Sequence, residues 1–102
     1  MDFSTTLTME PPTATLTASG ELDIFTAHQV ARQLVDALGS GCRRLLVDVR
    51  DVTFVDASAL GVLDRARHAV ALQSGSMDVV AAGPRFRRLC VLAGLAGAFE
   101  LS

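Results

Sequence analysis

Between Leu45 and Ala82 the apolar residues change period twice, and this restricts the fold more than any other feature of the chain. Leu45-Leu46-Val47-Asp48-Val49 is a short, mostly branched apolar run, the pattern of a strand buried on both faces. Over residues 58–73 the spacing becomes helical, with Leu60, Leu63, Ala66 and Val70 turned inward. Ser74-Gly75-Ser76 closes that helix, and Met77 to Ala82 reads as a second buried strand. A strand, a helix and a strand in that order form a crossover unit, so the two strands should be parallel and the connection right-handed. The fold class is therefore α/β.

The flanking segments extend this unit. Phe3, Leu7 and Met9 alternate with Thr6 and Thr8, and Ala14, Leu16 and Ala18 alternate with Thr13, Thr15 and Thr17. Glu10-Pro11-Pro12 lies between them as a turn, because two prolines cannot continue a ladder, and the pair reads as an antiparallel hairpin. Ala27, Val30, Ala31, Leu34, Val35 and Leu38 give one apolar helix face, stopped by Gly39-Ser40-Gly41. Gly83-Pro84 opens a third helix with Phe86, Leu89, Cys90 and Ala93 on one side. Gly94 ends it, and Ala98 to Leu101 reads as a last short strand. The expected order is β-β-α-β-α-β-α-β over a single domain, residues 1–102, with a mixed sheet and helices mainly on one face.

Composition narrows the function. The chain is 50% hydrophobic and 20% charged, a core-forming balance that argues against disorder. A formal net charge of −2 disfavours direct nucleic-acid binding, which needs a positive excess. Every basic residue is Arg, and the lack of Lys excludes Schiff-base chemistry. Met1-Asp2-Phe3-Ser4 has neither the basic nor the apolar region of a secretory signal. The longest uncharged apolar run, Leu89 to Phe99, is well short of the roughly 20 residues that span a bilayer. Cys42 and Cys90 are far apart, without Cys-x-x-Cys spacing, so a cytoplasmic protein with reduced thiols and no membrane insertion is expected.

The usual catalytic constellations do not occur. His-Glu-x-x-His, the phosphate-binding glycine loops and the Gly-x-Ser-x-Gly elbow are all missing, and two unclustered histidines make a poor metal site. No catalytic residue, metal or cofactor is expected. One segment stands out, Val52-Thr53-Phe54-Val55-Asp56-Ala57-Ser58-Ala59-Leu60-Gly61, which joins the central strand to the second helix. Either Asp56 or Ser58 could cap that helix, satisfying a free amide of its first turn. Alternatively Ser58 is exposed where the helix dipole and free amides accommodate an anion, so a phosphate there would add charge without unfolding the domain. Ala59 and Val62 beside it are expected to join a docking surface, Val62 because it lies off the inward stripe. Asp23 could cap the first helix or contact a partner. Arg85, Arg87 and Arg88 read as a solvated helix face.

These residues carry a resemblance. Gly20-Glu21-Leu22-Asp23, Leu46-Val47-Asp48-Val49, the Asp56-Ala57-Ser58-Ala59-Leu60-Gly61 element and the stretch from Arg88-Leu89 to Gly94-Leu95 together resemble a STAS domain. More narrowly they resemble a stand-alone bacterial anti-sigma factor antagonist. The resemblance implies that the unphosphorylated protein binds an anti-sigma factor that is itself a serine kinase, and so frees a sigma factor. It further implies that phosphorylation of Ser58 ends the interaction and that a metal-dependent serine phosphatase resets it. Asp23, Asp56, Ala59 and Val62 would then contact the partner. An alternative within the same family is a constitutive STAS subunit of a transport complex, such as a lipid ABC transporter, docked through the Ser58 helix. Many relatives carry a second serine or a glycine where alanines flank Ser58 here, which leaves Ser58 the sole hydroxyl of the Asp56–Gly61 element.

Overall fold

The computed structural model describes residues 3–95 and 97–99. The element order is β1 (Ser4–Glu10), β2 (Thr13–Leu22), α1 (Ile24–Gly39), β3 (Arg44–Val55), α2 (Ala57–Leu72), β4 (Ser76–Val80) and α3 (Pro84–Leu92). The strands form one mixed sheet in the order β1-β2-β3-β4. β1 and β2 are the expected antiparallel hairpin, while β2 with β3 and β3 with β4 are parallel.

Alternation in β2 sets the layers. Ala14, Leu16, Ala18 and Leu22 are buried on the helix side, whereas Thr13, Thr15, Thr17 and Ser19 point to the open face. Leu45, Val47 and Val49 of β3 and Met77 and Val79 of β4 continue the buried face. Ala27, Val30 and Leu34 of α1 and Leu60, Leu63 and Val70 of α2 pack down onto it. Each fully buried Leu or Val contributes about 1.5–3 kcal/mol relative to exposure, so these two helices and the sheet supply most of the stabilisation. The carbonyl of Pro12 accepts from the amides of Arg43 and Arg44, at 2.7 and 2.9 Å, and so ties the hairpin turn to the start of β3.

Three expectations are corrected. The central strand is not buried on both faces, since Leu46 and Asp48 are only partly covered. It also continues to Val55, well beyond the expected run. Register shifts opposite Thr17/Ser19 and Gly20/Glu21 mark irregularities in the β2–β3 ladder, and such irregularities erase the period-two signal that a sequence reading depends on. The last expected strand, 98–101, extends into residues outside those described; Ala98 and Phe99 occupy a turn and a bend.

Candidate functional site

Leu22 and Val55 are register partners at the ends of β2 and β3. The residue after each strand is an aspartate, so Asp23 and Asp56 leave the sheet as neighbours at its carboxyl end, and each caps the helix that follows. Ligand and partner sites of open α/β sheets gather at this end, where loops and helix N-termini converge.

At α1 the cap is reciprocal. Asp23 Oδ1 accepts from the amides of Phe25 and Thr26, both at 2.9 Å, and Thr26 Oγ1 accepts from the Asp23 amide at 2.8 Å. The Thr26 amide is the main reason the Asp23 carboxyl is held below its ordinary pKa, because these donors favour the ionised form.

At α2 Asp56 Oδ1 accepts from the Ala59 amide at 2.8 Å. Of the two capping residues open from sequence, the cap is therefore Asp56. Ser58 falls at the second helical position, exposed and not part of the cap. An anion on its hydroxyl would lie within the first turn, where amides without helical partners and the helix dipole both favour negative charge.

The expected docking residues Ala59 and Val62 stand elsewhere. They are 0% and 3% exposed, and neither presents area to a partner. Helix α2 is flanked by α1 as well as by the sheet, so its buried arc is wider than a single stripe. Val62 and Ala66 border the furrow between the helices, opposite Ala31 and Val35 of α1. The exposed surface beside the caps comes from Ile24, Phe25 and Phe54. Phe25 was detectable as an aromatic residue directly after a cap and off the apolar stripe of α1. His68 is exposed, with Nδ1 3.0 Å from the Asp64 carbonyl oxygen, and lies about 15 Å along α2 from Ser58, too far for a nucleophile–base pair.

A four-stranded mixed sheet with its helices ordered in this way, displaying a serine in the first turn of α2 two residues after a capping aspartate, defines a small α/β domain. Residues 5–102 match the STAS domain model, and the chain belongs to that family. An anti-sigma F factor antagonist of Paenibacillus polymyxa is 31% identical over 78 residues, spanning 76% of this chain and 67% of that protein. Among solved structures, an anti-sigma factor antagonist from Mycobacterium paratuberculosis is similar with a TM-score of 0.76 at 25% identity, covering 98% of this chain and 85% of that one. The anti-sigma factor antagonist SpoIIAA in its unphosphorylated form gives a TM-score of 0.79 at 19% identity, covering 97% and 88%. SpoIIAA of Bacillus is also known in the phosphorylated form, with a TM-score of 0.73 at 18% identity over 97% and 91% of the two chains.

Proposed function

We propose that this protein is an anti-sigma factor antagonist controlled at Ser58. In its unphosphorylated form it binds an anti-sigma factor serine kinase and so releases a sigma factor. Phosphorylation of Ser58 dissociates the complex, and a serine phosphatase restores the binding form. The protein is a kinase substrate and has no catalytic step of its own. The carrying observation is the placement of Ser58, an exposed hydroxyl in the first turn of α2 beside the fixed carboxylate of Asp56.

The electrostatics favour a switch over an unfolding event. The dipole and free amides of α2 accommodate the phosphate, so the domain keeps its fold. A charge of about −1.5 to −2 is meanwhile added to a face that already carries Asp23 and Asp56. Taking a partner from almost fully bound to almost fully free requires about 5 kcal/mol, which lost polar contacts and a dianion pressed against a desolvated surface can supply.

Incubation with ATP and a lysate of the native host tests the modification. Phosphate should be incorporated into the wild type at Ser58 and not into Ser58→Ala. Label on a different residue, or none on either protein, would overturn the proposal.

A further inference from the structure

β3 outruns its neighbour. β4 pairs with residues 44–48 only, so residues 49–55 have no strand on that side. The chain departs from the sheet after Val80. Ala81 adopts a left-handed conformation, with φ of 59°, and Gly83 then caps α3. The result is a groove of about 530 Å³ between the unpaired part of β3 and α3.

Its walls are apolar. Val52 and Phe54 line it from β3, and Leu89 and Leu92 from α3; Phe54 is 51% and Leu92 75% exposed. Its remaining margin is basic, formed by Arg50, Arg85 and Arg88. All three are exposed, and none forms a salt bridge among the described residues. Three guanidinium groups around one apolar groove contrast with the overall charge of −2.

We infer that this groove, which meets the cap face at Phe54, is a further docking surface, which takes a short extended segment of a partner protein in which apolar residues alternate with acidic ones. Three features select that occupant. Alternate residues of an unpaired strand offer their N–H and C=O groups sideways, and an extended segment satisfies them. The apolar walls accept every second side chain of such a segment. The arginines meet carboxylates with paired, charge-assisted hydrogen bonds. A second copy of this chain fits poorly, because a twofold contact would set the arginines of the two copies against each other. Only residues 49–55 lack a strand on the β4 side, a length that suits a segment better than a full sheet edge. The inference does not depend on Ser58 being phosphorylated.

Selection from a displayed library of random ten-residue peptides on the purified full chain tests it. Enriched peptides should alternate apolar residues with Asp or Glu, bind less tightly as salt is raised, and slow hydrogen exchange at the amides of residues 50–55. Arg85→Glu/Arg88→Glu should weaken them about tenfold or more, and Phe54→Asp should abolish binding; circular dichroism checks that both variants are folded. Enrichment without acidic bias, equal binding to Arg85→Glu/Arg88→Glu, exchange protection elsewhere, no enrichment at all, or a chain that dimerises through this edge would each overturn the inference.

Discussion

Asp56 and Ser58 are two residues apart and divide two tasks that one residue could otherwise have been asked to share. Asp56 holds the helix, and Ser58 is left free of structural duty. Asp56→Ala should therefore cost about 1 kcal/mol, with Asp56→Ser recovering most of it, as read from urea midpoints. Ser58→Ala should leave the midpoint unchanged, because no cap is lost. Asp23 adds a pH signature. Its carboxyl is held below the ordinary aspartate value of 3.8 by hydrogen bonds that need the ionised form, chiefly from the Thr26 amide. A depressed folded pKa contributes stability above the unfolded value, and that contribution disappears as pH falls through the folded value. Melting temperatures recorded below about pH 4 should consequently fall less steeply for Asp23→Asn than for wild type. Sequence spacing alone left both Asp56 and Ser58 open as the cap, since serine and aspartate each satisfy a first-turn amide well. Only the actual start of α2 separates them. Val62 was misread for a different reason: a single inward stripe describes a helix with one neighbour, and α2 has two.

The elements were legible wherever one period ran undisturbed. Thr13 to Ala18 alternates cleanly, and Ala27 to Leu38 repeats at helical spacing, so β2 and α1 follow from the residues. α1 begins earlier than its stripe because Ile24 and Phe25, both exposed, are held in the helix by the Asp23–Thr26 cap and not by burial. The far half of β3 was illegible because ladder irregularities break its alternation. The turn between α2 and β4 is tighter than sequence suggests. A Cβ on Gly75 would stand 2.8 Å from Val70 Cγ1 and 3.1 Å from the Arg43 carbonyl oxygen. Gly75→Ala forces the backbone or the core to shift and should cost about 1–3 kcal/mol. Thermal unfolding reads this directly, as a drop in Tm of several degrees for a domain of this size. Gly39→Ala, with no atom within 4 Å of the added carbon, supplies the control.

Across the whole molecule, the parallel strands deliver three helix N-termini toward one end of the sheet, and the capped ends of α1 and α2 stand side by side there. Core residues between the helices and the sheet fix that arrangement, so a charge added at the exposed Ser58 leaves the fold intact, and under the proposed function it alters what binds. Phosphorylated and unphosphorylated protein should accordingly share the same far-ultraviolet circular dichroism and nearly the same Tm, the difference appearing in partner affinity alone. The family and the fold class were readable from the order and spacing of short motifs. The exposed surface beside the caps was not, because exposure of Phe25 and Phe54 and burial of Ala59 and Val62 depend on how α1, α2 and β3 come together. The most direct test is a pull-down from native lysate in the presence of ATP with Ser58→Ala and Ser58→Asp as baits, identifying captured proteins by mass spectrometry. Ser58→Ala should retain an anti-sigma factor serine kinase that Ser58→Asp does not. Equal capture of one transporter ATPase by both baits, or no kinase on either, would contradict control at Ser58 and reduce the serine to an exposed residue beside a helix cap.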